Sequence, residues 1–222
     1  LPYPPDQADT CYVAWPAVGA MKEAMERMLP ALVLPVSMRK RGMGKELVRG
    51  SVRAGFAVPG VAGAVARVWA VVVILGKPMS RGSLKLASAD PRDDAMVDPN
   101  YLGDARDLDT LVMGIEKARA IAGQAPLAAW GNREIFPGFL DRGRASLESW
   151  IRSNLMTTYH FAGTCRMGTD AASVVDTALR VRGVEGLRVA DASVMPETPV
   201  SALNAPSMMI GLRAASLVGS GR

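Results

Sequence analysis

Apolar side chains recur at Leu108, Leu111, Val112, Ile115, Ala118, Ile121 and Ala122, a spacing of threes and fours that gathers them on one helix face. Asp107 stands where an N-cap belongs and Gly123 where such a helix stops, so the pattern predicts an amphipathic helix between them. A second helix is predicted from Leu147 to about residue 155, with Ser146 as its cap. Met21, Met25, Met28 and Leu29 predict a short helix whose methionines fill core space. Pro206 suits the first turn of a helix reaching about Val218.

Between Ala54 and Gly76 every residue but Arg67 is apolar. The length would suffice for a bilayer span, but Pro59, the glycines and Arg67 argue against one. The segment divides into residues 54–66 and a β-rich run, Val68–Leu75, in which Val71–Leu75 reads as a buried strand. After a turn at Lys77–Gly82, residues Ser83 to Ser88 alternate polar and apolar, as a half-buried strand does. Leu187–Ala190 reads as a short strand leaving a glycine turn, with Asp191 just past its end. Residues 90–94, 98–100 and 130–143 read as loops by their Asp, Pro, Asn and Gly content.

Composition narrows the classes. Hydrophobic residues make up 49% of the 222, enough to bury the core of one large domain or two small ones. A net charge of +5 with 5% aromatic residues lacks both the basic stripe and the stacking platforms of a nucleic-acid binder. Cys11 and Cys165 lie far apart, and with a single histidine they form neither a metal-ligand pattern nor a disulfide framework. They read as reduced thiols in a cytoplasmic setting. No signal peptide is readable at Leu1-Pro2-Tyr3-Pro4-Pro5, and the start reads as the interior of a longer protein. Arg39-Lys40-Arg41 with Lys45, Arg49 and Arg53 reads as a solvated face. Because an apolar stretch follows, contact with a membrane surface is the lesser alternative.

The one histidine lies in Tyr159-His160-Phe161-Ala162-Gly163-Thr164-Cys165-Arg166-Met167-Gly168. By itself a single histidine reads as structural or exposed. Downstream follow Leu187-Arg188-Val189-Ala190-Asp191-Ala192-Ser193-Val194-Met195-Pro196 and Asn204-Ala205-Pro206. Upstream stand Ser80-Arg81-Gly82, Ser88-Ala89-Asp90-Pro91 and Asp98-Pro99-Asn100-Tyr101-Leu102. From about residue 70 to 218 this series resembles the C-terminal portion of a glucose-methanol-choline (GMC) oxidoreductase of the choline dehydrogenase-like kind. Those enzymes are FAD-dependent alcohol dehydrogenases and oxidases.

The resemblance implies a mixed α/β fold. A poorly assigned part, residues 1–69, would precede a substrate domain at 70–155, with an antiparallel sheet backed by helices. Residues 156–222 would complete an FAD-binding domain and supply the catalytic contacts. The resemblance implies that His160 takes the hydroxyl proton of a small-molecule alcohol while flavin N5 takes the hydride, a task suited to a group titrating at about 6.5. It places Asp191 and Ala192 beside the ribityl and pyrophosphate portion of FAD. It places Asn204 and Ala205 at the isoalloxazine, where a helix start stabilises negative charge. Read from the residues alone, Asp191 is a cap or turn former and residues 204–206 an ordinary helix start.

Two departures matter. The family usually reads Gly-Asn-x-Asn-Ala-Pro, or has His for the first Asn, whereas this chain reads Ser201-Ala202-Leu203-Asn204-Ala205-Pro206. The second catalytic position thus falls on Ala202, and losing one positioned donor costs about 2–4 kcal/mol of transition-state stabilisation. Ser201 or a water would have to substitute. Nor does any Gly-x-Gly-x-x-Gly follow a strand, so the Rossmann dinucleotide half is expected to be missing and to be needed in cis or in trans. Two readings stay open: the C-terminal portion of an oxidoreductase acting on CH–OH groups, and a truncated, non-catalytic pairing module.

Overall fold

A computed structural model of the chain describes residues 8–16, 22, 26, 42–138, 143–200 and 202–220. The helix expected over residues 21–29 and the triplet Arg39-Lys40-Arg41 lie outside them, save for Lys22 and Glu26. Strand β1, Thr10–Pro16, pairs with β2, Trp69–Leu75. The chain divides into two compact units, Tyr12–Val72 and Leu1–Cys11 with Val73–Arg222.

In the first unit, α1, Gly42–Ala57, packs against the short α2, Val61–Val65. Gly60 opens α2 at φ 86, a left-handed conformation that glycine adopts without steric cost. The β-rich run does form β2, but its residues are half-buried or exposed instead of buried. With β1 as its only partner strand among the described residues, it is not the interior strand of a covered sheet.

In the second unit, β3, Ser83–Lys85, pairs antiparallel with β4, Met96–Asp98, in the register Ser83↔Asp98, Leu84↔Val97 and Lys85↔Met96. The expectation of a half-buried strand fails here. Every residue of both strands is exposed, because no described element covers either face. The fold is mixed α/β as expected, but among the described residues its sheets are two separate two-stranded pairs instead of a single sheet.

Helix α3, Ala105–Ala122, matches the predicted periodicity. The short α4, Ala125–Ala128, follows it, and α5, Arg144–Asn154, packs across it. Leu108, Leu111 and Val112 of α3 meet Leu147 and Ile151 of α5, with Val73 and Leu75 of β2 against them. Fully burying one such side chain contributes about 1.5–3 kcal/mol, so this cluster anchors the unit.

Both predicted caps need correction. Asp104, not Asp107, caps α3, accepting the Arg106 N–H at 3.0 Å. Asp107 sits inside the first turn, 2% exposed. Its carboxylate accepts the Met79 N–H at 2.7 Å, the Ser80 N–H at 2.9 Å and the Ser80 hydroxyl. Gly143 precedes α5, and Ser146 turns its hydroxyl back to the Gly143 carbonyl at 2.9 Å. Gly123 does end α3, though with right-handed backbone.

Asp107 thus ties the turn before β3 to α3 through a buried side chain whose partners are two amides and a hydroxyl. Asp107→Ala should destabilise this unit by about 3 kcal/mol, since two half-buried amides and a hydroxyl lose their acceptor. Asp107→Asn should cost less, because one oxygen still accepts. Urea unfolding of the three proteins checks the order.

Candidate active site at the start of the last helix

Beyond α5 the chain is held mostly by single bridges. Met167↔Val175, Val175↔Val181 and Arg180↔Arg188 wind it around Val175, which has no exposed surface. The expected strand Leu187–Ala190 shrinks to the last of these bridges. The Val181 N–H reaches the Leu187 carbonyl at 3.0 Å and the Val189 N–H the Leu179 carbonyl at 3.1 Å. Positive φ at Leu179, Gly183 and Gly186 reverses the chain too soon for a longer ladder. Asp176 pins one of these reversals, accepting the Ala178 and Arg180 N–H groups at 2.8 and 2.9 Å. Those bonds, the Arg180 amide foremost, hold its carboxyl below the usual range.

Two backbone bonds then lay the histidine run beside the Asp191 run. The Cys165 N–H donates to the Ser193 carbonyl and the Met167 N–H to the Val194 carbonyl, each at 2.9 Å. Asp191 caps the 3-10 turn Ala192–Val194 by accepting the Ser193 N–H at 2.7 Å. The Ser193 hydroxyl and amide lower its pKa, so it is an anion at neutral pH. Its local role is the cap that the residues alone suggested. Val194 joins Val175 and Leu179 in an apolar cluster with Ala214 and Leu217 of α6, Asn204–Gly219.

The segment between the 3-10 turn and α6 is fixed from the other side. The Thr198 hydroxyl donates to the Gly76 carbonyl at 2.9 Å. A Cβ on Gly76 would lie 2.7 Å from Val200 Cα, so only glycine lets the chain pass the end of β2.

His160 is exposed, and its Nδ1 accepts the Leu203 N–H at 3.4 Å. A backbone amide can only donate. In this contact Nδ1 therefore serves as the acceptor, through its lone pair. Leu203 is the N-cap of α6, and Asn204 and Ala205, both exposed, are its first two residues. The helix's bonding begins with the Ser207 N–H to the Leu203 carbonyl at 2.9 Å. The amides of Asn204 and Ala205 consequently have no acceptor within the helix, and Pro206 has no amide hydrogen.

The structure thus brings His160 against the residue before Asn204 and Ala205, and ties Asp191 and Ala192 to the histidine run through Ser193. Ala202 is exposed and brings no polar side-chain atom, and Ser201 lies outside the described residues. The group that sequence reasoning missed is the Leu203 amide. A backbone N–H leaves no side-chain signal, only its place before a helix start.

Helix α6 covers the cluster with Ala214, Leu217 and Ile210. Met208, Met209, Leu212 and Val218 on the rest of its surface are 62% to 74% exposed. Arg213 and Ser216 interrupt this surface, but the apolar side chains extend well beyond the face that packs, and so much open apolar area suits a partner surface.

Residues 78–211 match the family model described as GMC oxidoreductase. The chain is 46% identical over 141 residues to an alcohol dehydrogenase [acceptor] of Pseudomonas putida, covering 64% of this chain and 26% of that protein. It is 48% identical over 147 residues to a choline oxidase of Arthrobacter globiformis, covering 64% and 27%. A solved formate oxidase from Aspergillus oryzae, in a study of its FAD modification, superposes with a TM-score of 0.63 at 27% identity, covering 68% of this chain and 27% of that one. The chain spans about a quarter of the length of the curated relatives it matches.

The carboxylates of this region set a pH window. Asp176 and Asp191 are lowered by hydrogen bonds, and Asp170, paired with Arg166, is lowered to about 2. A carboxyl depressed on folding stabilises the fold above its unfolded value of about 3.9, and that contribution is lost as pH falls through the folded value. Near-UV circular dichroism should therefore hold steady above about pH 5 and decline between about 4 and 2. Asp176→Asn should be less stable at neutral pH and show a shallower acid decline.

Proposed function

The chain belongs to the GMC oxidoreductase family, and from that premise we propose that it is part of an FAD-dependent oxidoreductase acting on the CH–OH group of a small-molecule alcohol. The observation that carries the proposal is the His160 imidazole held against the start of α6. Its relatives include an alcohol dehydrogenase and a choline oxidase, which supports an alcohol as the reductant.

The residues present fit a flavin. The first amides of α6 lie beside an exposed imidazole, and Ala205 and Ala192 bring no bulk to hinder a flat ring. We assign Asn204 and Ala205 to the isoalloxazine end, and Asp191 with Ala192 to the ribityl and pyrophosphate portion. The positive end of α6 favours negative charge at that place. FAD, when bound, supplies a hydride acceptor at N5. Residues 156–222 would hold these contacts, with residues 70–155 as substrate domain and 1–69 its less defined beginning.

His160 is the base that takes the hydroxyl proton. The proton must go to a ring nitrogen that bears none. If that is Nδ1, its lone pair has to turn from the Leu203 amide to the alcohol. If it is Nε2, the ring must first carry its proton on Nδ1, which then cannot accept from Leu203. Either way the Leu203 contact opens as the base acts. At 3.4 Å that contact is long for a hydrogen bond, so opening it costs little. Ala202 offers no second donor to the substrate oxygen, which makes proton transfer rest on one imidazole.

The ADP portion of FAD has no glycine-rich turn to meet it in this sequence. We assign that task to the part of the relatives' length that this chain does not span, and the open apolar surface of α6 to the contact with it. Ala202 favours one other reading, a pairing module that binds this part without catalysis.

Combined with a separately produced flavin-binding part, the chain should allow an alcohol to bleach the flavin absorbance under anaerobic conditions. His160→Ala should slow the bleaching by about 10²–10⁴-fold, the usual contribution of a general base. Binding without bleaching would favour the pairing module, and equal rates for the two proteins would exclude His160 as the base.

A further inference from the structure

The α1–α2 pair presents a surface that the reading above does not use. Residues 54–66 form a run of thirteen without a polar side chain, bracketed by Arg53 and Arg67. None of the thirteen is buried, and both arginines are exposed. On α1, Met43, Leu47, Gly50 and Ala54 share one face at helical spacing. Met43 is 85% and Leu47 74% exposed, and Val58, in the turn before α2, is 53% exposed. The opposite side of α1 holds its buried residue, Val52. The apolar stripe therefore faces outward, the reverse of a helix that folds its apolar side inward.

Charge tells what covers this stripe. Residues 39–67 contain Arg39, Lys40, Arg41, Lys45, Arg49, Arg53 and Arg67 against Glu46 alone. This stretch carries more positive charge than the whole chain's net +5, so the rest of the chain is close to neutral. Glu46 engages Arg49 at 2.6 Å and Glu26 engages Arg53 at 3.1 Å, and among the described residues Lys45 and Arg67 stand outside these two pairs. Protein interfaces draw their energy from aromatic and other large anchors seated in pockets. This surface offers alanine, glycine, proline, valine, methionine and leucine, and its one aromatic ring, Phe56, is half-buried. Small apolar side chains flanked by arginines match a bilayer interface, where the stems sink and the guanidinium groups meet lipid phosphates.

We propose that α1 and α2 dock on an anionic membrane surface, with Met43, Leu47 and Val58 entering the headgroup region and the basic residues flanking them on lipid phosphates. No helix among the described residues is long and apolar enough to cross a membrane, so this is contact from one side. It is independent of the flavin site, and residues 42–66 lie outside the stretch that matches the family.

The test is flotation of the whole chain with vesicles of phosphatidylcholine alone, and of phosphatidylcholine mixed with phosphatidylglycerol, over a salt series. Binding should favour the anionic vesicles and weaken as salt rises. Met43→Ser with Leu47→Ser, or Val58→Asp alone, should lower partitioning by roughly tenfold or more, because exposed apolar area drives insertion. Leu212→Ser, on the open face of α6, should leave it unchanged. Thermal melts establish that all variants remain folded. No binding to anionic vesicles, equal binding to neutral ones, or indifference to the α1–α2 substitutions would overturn the proposal. So would lipid-free self-association abolished by the same substitutions, which would make this face a protein interface.

Discussion

Two backbone hydrogen bonds, from Cys165 to Ser193 and from Met167 to Val194, hold together everything the candidate site needs. They bind the run containing His160 to the run containing Asp191. The same Val194 enters the cluster that seats α6 through Ala214 and Leu217. With the Met167↔Val175 bridge and the apolar cluster, that pairing brings together three segments far apart in sequence. The region achieves this with little regular structure: isolated bridges, a 3-10 turn and a buried Val175 replace a sheet. Local carboxylate bonds at Asp176 and Asp191 close the reversals that make so short a ladder possible.

How far the sequence foretold this depends on the kind of signal. The α3 and α5 helices were legible because one apolar face repeats at helical spacing and meets the other in a common core. Their caps were not. Asp104 and Asp107 are the same residue type one turn apart, and what distinguishes them is an interaction with Met79 and Ser80, far back in the chain. Alternation at residues 83–88 announced a strand correctly but not its burial, since a pattern states which face is apolar and not whether anything covers it. In the site, His160 and the start of α6 were legible through a motif, and the contact joining them was not, because Leu203 contributes a backbone amide.

The apolar surfaces left open have different chemistry and so different meanings. On α6, Met208, Met209, Leu212 and Val218 surround a helix already half used for packing beside the imidazole. That surface is suited to protein. On α1 and α2 the apolar residues are mostly small and lie between arginines, which suits lipid. Reading both simply as hydrophobic patches would miss the distinction that charge supplies.

The candidate site depends on the His160 ring lying at the start of α6. With one histidine in the chain, its ring protons are unambiguous in a nuclear Overhauser spectrum of ¹⁵N-labelled protein. A cross-peak between a ring proton of His160 and the amide proton of Leu203 is the predicted result. A ring with free-histidine shifts and no contact to any residue from 202 to 206 would contradict it.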